Sequence, residues 1–117
     1  MIKTGKINYI EMPAADLKAA KAFYSNALGW TFEDYGPDYT AFNDGSFNGG
    51  FFKADLSSST ANGAALVVLY AEDLEALQET LQKHGARIHR EIFSFPGGRR
   101  FHFLDPNNNE LAVWSDK

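Results

Sequence analysis

The tetrapeptide Asp16-Leu17-Lys18-Ala19 returns at an offset of 57 as Asp73-Leu74-Glu75-Ala76, each copy lying between a strand-like apolar run and a glycine. This repeat constrains the fold more than any other feature. A unit of under about 60 residues cannot bury both faces of a sheet alone, so two such units are expected to pack together. The same offset carries Tyr9 onto Leu66. A second match, Asp44 and Asn48 with Asp105 and Asn109, runs at an offset of 61 and sets Phe51 opposite Ala112.

Local chemistry predicts the elements inside each copy. Residues 6–12 alternate as a strand, with Tyr9 and Glu11 on one side, and Pro13 is expected to end it. Asp16 is placed to cap a helix to about Leu28 with Leu17, Ala20, Phe23, Tyr24 and Ala27 as its buried stripe, and Gly29 supplies the left-handed stop. Residues 31–35, 39–43 and 49–53 follow as short strands. In the second copy, residues 66–71 form a strand, and Asp73 caps a helix carrying Leu74, Leu77 and Leu81, which Gly85 ends. Residues 87–92, 99–104 and 110–114 then return as strands. The expected class is α+β: two tandem βαβββ modules forming a cupped mixed β-sheet with the helices on its outer face. One domain covers residues 1–117, with module 1 at about 6–54, a connector at 55–64 and module 2 at about 65–115. The connector is small and polar and is expected to be mobile.

A chain that is 44% hydrophobic and 15% aromatic holds enough apolar material for a packed core, which rules out a disordered or fibrous protein. Its apolar runs are short and its first residues lack the apolar core of a signal peptide, so a cytoplasmic protein without a membrane partner is expected. There is no cysteine, which excludes disulfides, thiolate metal sites and a cysteine nucleophile. A net charge of -4 with scattered Lys and Arg offers no basic stripe for phosphates, so nucleic acid is not an expected partner. A small-molecule ligand or substrate is expected instead, together with a homodimer, because small sheets leave exposed strand edges.

The paired modules, the run Phe23-Tyr24-Ser25-Asn26-Ala27-Leu28-Gly29-Trp30 after the helix start, and the closing Asp105-Pro106-Asn107-Asn108-Asn109-Glu110-Leu111 turn together resemble the vicinal oxygen chelate superfamily. That group includes glyoxalase I, the bleomycin-resistance proteins and the extradiol dioxygenases. The resemblance implies a cup in which four inward side chains, usually His and Glu, hold a divalent metal. Carried over by the motifs, those places are Tyr9, Phe51, Leu66 and Ala112. Phe, Leu and Ala donate no lone pair to a metal, and a neutral Tyr is a poor ligand, so the usual site is expected to be missing and no cofactor is predicted.

Strand alternation then predicts what lines the cup. If Phe103 lies opposite Leu111, His102 faces Ala112, and Arg100, Glu110 and Trp114 join Tyr9, Glu11, Tyr39, Phe51, Lys53 and Tyr70 as lining residues. His102 and Glu11 are the candidate acid and base; Tyr9, Tyr39, Phe51, Tyr70, Arg100, Glu110 and Trp114 are the candidate ligand-binding residues. An ion pair between Glu11 and Arg100 is a structural alternative. Phe95-Pro96-Gly97-Gly98-Arg99-Arg100 reads either as a rim loop that clamps an anionic group or as a surface turn. Gly49-Gly50 reads as a place of close packing. His84 and His89 are assigned no function.

The function these residues predict is glyoxalase-like or bleomycin-resistance-like binding of a small organic molecule in an aromatic cup without the usual metal. One alternative is a lyase, isomerase or dioxygenase-type enzyme on a small carbonyl or aromatic compound. It would be metal-free or use a divalent metal relocated to Glu11, His102 and Glu110. A further alternative is an interaction or assembly module.

Overall fold

The computed structural model describes residues 2–117. Two four-stranded sheets each pack one helix against one face and leave the other face open. Sheet 1 contains β1 (Tyr9–Ala14), β2 (Thr31–Asp34), β3 (Tyr39–Asn43) and β4 (Asn48–Lys53) in the order β1-β4-β3-β2. Sheet 2 repeats this with β5 (Val67–Tyr70), β6 (Arg87–Phe95), β7 (Gly98–Leu104) and β8 (Glu110–Ser115) in the order β5-β8-β7-β6. In both, the first strand runs parallel to the last and the other pairs are antiparallel. This is the tandem βαβββ arrangement the repeat predicts.

The helices form for the reasons legible in their ends. Helix α1 (Leu17–Leu28) starts where the Asp16 carboxylate accepts a bond from the Ala19 amide at 3.0 Å, and it stops at Gly29, whose φ of 73° suits a residue without a Cβ. Helix α2 (Leu74–Lys83) repeats the start, with Asp73 accepting from Ala76. Its end differs, because His84 rather than Gly85 is the capping residue.

Ala20, Phe23 and Tyr24 of α1 are buried against sheet 1, and the core there is aromatic. Tyr24 stacks on Trp30 with centroids 4.5 Å apart and on Phe51 at 5.3 Å, while Phe42 reaches Trp30 at 4.6 Å. Behind sheet 2 the core is built from Leu74, Leu81, Phe101, Phe103, Leu111 and Val113, all fully or almost fully buried. Phe103 lies 6.2 Å from Phe23, so the two cores meet at α1.

The closing turn of module 2 fastens the modules to each other. Asp105 accepts from the Tyr24 hydroxyl at 2.7 Å, and its other oxygen accepts from the backbone of Asn107 and Asn109. Asn107 makes two bonds to the Asp16 backbone, and the Asn109 amide donates to the Pro13 carbonyl at 2.7 Å. Burial pushes both the Tyr24 phenol and the Asp105 carboxyl up; for Tyr24 the neighbouring Asp105 adds to the rise, while for Asp105 the bonds it accepts work against it.

Two expectations need correction here, and one open alternative is decided. Pro13 lies inside β1 rather than after it, which its position allows because β1 is an edge strand and its next residues still pair with β4. The connector is tied down rather than loose: Thr60–Asn62 form a 3-10 turn with a capping box at Ser59, and Ser57, Ser58 and Thr60 bond to Asn107, Asn109 and Glu110. Its small polar side chains serve as hydrogen-bonding groups for its own backbone and for the closing turn. Of the two readings of Phe95–Arg100, the structure gives the turn: a tight hairpin, with Phe95 paired to Gly98 and only Pro96 and Gly97 between them. Gly97 takes the positive φ that the turn demands, so no lid-length segment exists there.

Candidate functional site

The two open faces, turned away from the helices, are set by strand register. Glu11 pairs with Gly50 in sheet 1, and Val68 pairs with Ala112 in sheet 2. Since Glu11 maps onto Val68 at the repeat offset of 57, Gly50 is the counterpart of Ala112. The expectation that Phe51 fills this place is therefore wrong by one residue. Phe51 is fully buried on the helix side, stacked on Tyr24, and Lys53 shares that side by alternation. The cause is loop length. Asn43 pairs with Asn48 across four residues, whereas Leu104 pairs with Glu110 across five, so the offset slips between the turns and the strands that follow them.

On the open face of sheet 1, Gly50 makes room for a chain of hydroxyls. A Cβ there would lie 2.0 Å from the Tyr39 hydroxyl and 2.9 Å from that of Tyr9. Tyr39 donates to Glu11 Oε2 at 2.8 Å, so Tyr9, at 2.6 Å, must be the donor to Tyr39. Burial, followed by the bonds with Tyr9 and Glu11, raises the Tyr39 phenol well above its ordinary value. Beside this chain lies an open groove of about 530 Å³ lined by Tyr9, Thr31, Glu33, Tyr35, Asn43 and Asn48. Except for Tyr9, these lining residues are absent from the sequence prediction. The paired Asn43 and Asn48 flanking a Gly-containing turn were the available signal for two of them.

The open face of sheet 2 is built differently. Phe103 pairs with Leu111 and His102 with Ala112, as the hairpin pattern predicts. His102 is only 5% exposed and both its ring nitrogens are engaged. Arg100 Nη2 lies 3.0 Å from Nε2 and can only donate, so the ring proton sits on Nδ1, which donates to Glu110 Oε2 at 2.7 Å. The other Glu110 oxygen accepts from the backbone and hydroxyl of Thr60 at 2.8 and 2.9 Å. Burial pushes the Glu110 carboxyl up, but the bonds from His102 and Thr60 outweigh it and bring it down to about 2. Next to this chain, Trp114 meets Tyr70 edge-on at 5.2 Å and Phe95 at 6.4 Å. Tyr70 donates to Asp116, and that bond pushes its phenol up to about 12.

The two sets stay apart. Glu11 bonds Tyr39 rather than Arg100, which removes the expected ion pair. Glu11, His102 and Glu110 do not converge, and among the described residues no group of three or more His, Cys, Asp or Glu side chains could hold a metal ion. In the observed register the family's metal positions are Tyr9, Gly50, Leu66 and Ala112. One phenol oxygen among four positions does not fit a divalent ion.

A family model described as the Glyoxalase/Bleomycin resistance protein/Dioxygenase superfamily matches residues 6–113. The chain belongs to that superfamily. Among solved structures it is similar to a family enzyme from Burkholderia phytofirmans PsJN (TM-score 0.77, 15% identity, 94% of this chain and 98% of that one). It is also similar to lactoylglutathione lyase from Agrobacterium tumefaciens (TM-score 0.72, 22% identity, 95% and 93%). A third is the E126Q variant of the fosfomycin resistance protein FosX from Listeria monocytogenes, complexed with Mn(II) and 1S,2S-dihydroxypropylphosphonic acid (TM-score 0.77, 18% identity, 97% and 90%). At these identities the likeness is one of fold. No curated protein matches the chain in sequence. Among the described residues no helix is long and apolar enough to cross a membrane.

Proposed function

We propose that this protein binds a small organic molecule on its open, aromatic-lined sheet faces and does so without the metal ion typical of its superfamily. The observation that carries the reading is the set Tyr9, Gly50, Leu66 and Ala112 at the metal positions, on a scaffold that is otherwise retained. Tyr9, Tyr39, Tyr70 and Trp114 supply the flat apolar surface such a ligand needs, and a few fixed polar groups beside them supply orientation. Sequestration, as in resistance proteins, requires nothing more. Enzymatic use of His102 is the second reading, favoured by its bond to Glu110, since a carboxylate that orients an imidazole is the usual arrangement of a general base. It requires Arg100 to release Nε2 first. A cytoplasmic homodimer is part of the same proposal, supported by the edge strands β1 and β5, whose Tyr9, Val68 and Tyr70 are each more than 40% exposed.

The test combines a thermal-shift screen of aromatic acids, amines and small metabolites with equilibrium dialysis against divalent ions. At least one organic compound is expected to raise the melting temperature, with no stoichiometric metal retained. Stoichiometric binding of a divalent ion that is lost in His102→Ala would overturn the metal-free reading. A screen in which no compound stabilises the protein would favour an assembly module.

A further inference from the structure

Two arginines on the open face of sheet 2, Arg90 and Arg100, lack the carboxylate partner that Arg99 finds. Arg99, the neighbour of Arg100, turns to the helix side and holds Glu75 through both terminal nitrogens. Among the described residues, neither Arg90 nor Arg100 has a carboxylate within ion-pairing distance. On this sheet Glu110 is engaged by His102 and Thr60 and Asp116 by Tyr70, and Glu91, next to Arg90 in the chain, makes no ion pair with it. Arg100 spends one nitrogen on His102, and its buried Nε has no partner at all. A buried, charged N–H without an acceptor is costly, and native structures leave few of them.

Both guanidinium groups gather at one ring. Arg90 lies 3.7 Å from the centre of Phe93 and Arg100 lies 5.6 Å from it. The same face continues into Phe95, Trp114 and Tyr70. Arg100 is held in place by a chain of bonds through His102 to Glu110 and Thr60, so its orientation is fixed before any ligand arrives. Fixed guanidinium donors beside aromatic surface suit a planar group that carries a carboxylate or phosphoryl oxyanion.

We infer that the open face of sheet 2 recognises a planar organic anion, whose oxyanion is read by Arg90 and Arg100 and whose apolar body lies against Phe93, Phe95 and Trp114. Arg100, whose Nη1 is left free by the bond of Nη2 to His102, is the primary anchor, His102 is a positioning residue behind it, and the exposed Arg90 closes on the anion from solvent. This assignment names the ligand class for the small-molecule reading and rests on it.

Calorimetry and amide chemical shifts on the full chain test it with four probes: benzoate, phenyl phosphate, neutral benzamide and cationic benzylamine. Benzoate or phenyl phosphate should bind with shifts at Phe93, Arg100 and Trp114, and the better of the two identifies the oxyanion. Benzamide should bind roughly tenfold or more weakly, the worth of one charge-assisted contact. Arg90→Gln, at an exposed position where folding is safe, should weaken the anion about tenfold and leave benzamide unchanged, while Arg90→Lys should recover part of the loss. Equal affinity for benzoate and benzamide would overturn the inference and leave small-molecule binding standing. So would benzylamine binding as tightly as benzoate, or benzoate shifts at Tyr9 and Tyr35 in place of Phe93 and Trp114, since either takes the anion away from the arginines. If none of these four binds but other compounds do in the thermal-shift screen, only the anion assignment fails; if nothing binds in either experiment, both fail. Dissociation of a dimer by Arg90→Gln, with no change in benzoate binding, would show that the arginines meet a second copy and would also overturn it.

Discussion

Gly50 and Ala112 occupy equivalent places in the two sheets, yet the space above them is filled by opposite chemistry. Over Gly50 stand two phenols and an exposed carboxylate; beside Ala112 stand an arginine, a buried histidine and a buried carboxylate. Tyr39 and Arg100 are themselves counterparts, since each pairs with an aromatic residue of the last strand, Phe52 and Trp114. The same backbone therefore carries an acidic hydroxyl network in one module and a basic relay in the other. The two networks do not touch, and each is held together by bonds within its own module and the connector.

The sharpest break between the halves should come from removing their carboxylates. Glu110→Ala leaves the buried His102 Nδ1–H without an acceptor and removes both bonds from Thr60; with hydrogen bonds to a charged group worth about 1.5–3 kcal/mol each, the loss should be about 3 kcal/mol or more. Glu11→Ala removes an exposed acceptor and should cost under about 1 kcal/mol. Urea denaturation of both variants measures the difference, and equal losses would mean that the contrast in burial has no energetic weight.

Acid should act on the same contrast with a somewhat smaller effect. The folded Glu110 carboxyl titrates near 2, below its ordinary value of 4.5, so its stabilising contribution is complete above pH 4.5 and is lost as the pH falls toward 2. Asp105 has the opposite sign, because its folded value is raised and its protonation in acid favours the folded state. Midpoints of urea denaturation across this range should fall for the native sequence and flatten in Glu110→Gln.

The smallest of the three effects concerns Gly50. Gly50→Ala drives a methyl group into the Tyr39 ring and should cost about 1–3 kcal/mol, as overpacking does. In a Tyr39→Ala background the same change should cost much less. Additive losses would show that Tyr39 does not fill the place above Gly50.

Much of this contrast is legible in the sequence because it depends on alternation and turn chemistry. The pairing of His102 with Ala112 follows from the Asp105–Asn109 turn, and α1 follows from Asp16 and Gly29. The face of Phe51 does not, because a loop shorter by one residue leaves the hydrophobic pattern unchanged but reverses every side chain after it. Gly50 is legible as a place of close packing, but a residue without a side chain does not say which group fills the space above it. The partners of Arg100 and Glu11 depend on which long side chains converge in space, and strand parity alone leaves that open.

The bonds of the closing turn also set an order of events in the making of the protein. Tyr24 waits for Asp105, 81 residues later, and the Pro13 carbonyl waits for Asn109, 96 residues later. As the chain leaves the ribosome, module 1 emerges first, and the Pro13 carbonyl and the Tyr24 phenol meet these partners only when residues 105–109 have followed. Contacts of such sequence separation close late and slow the search for the native state. Residues 105–109 are thus the ones that lock the first half.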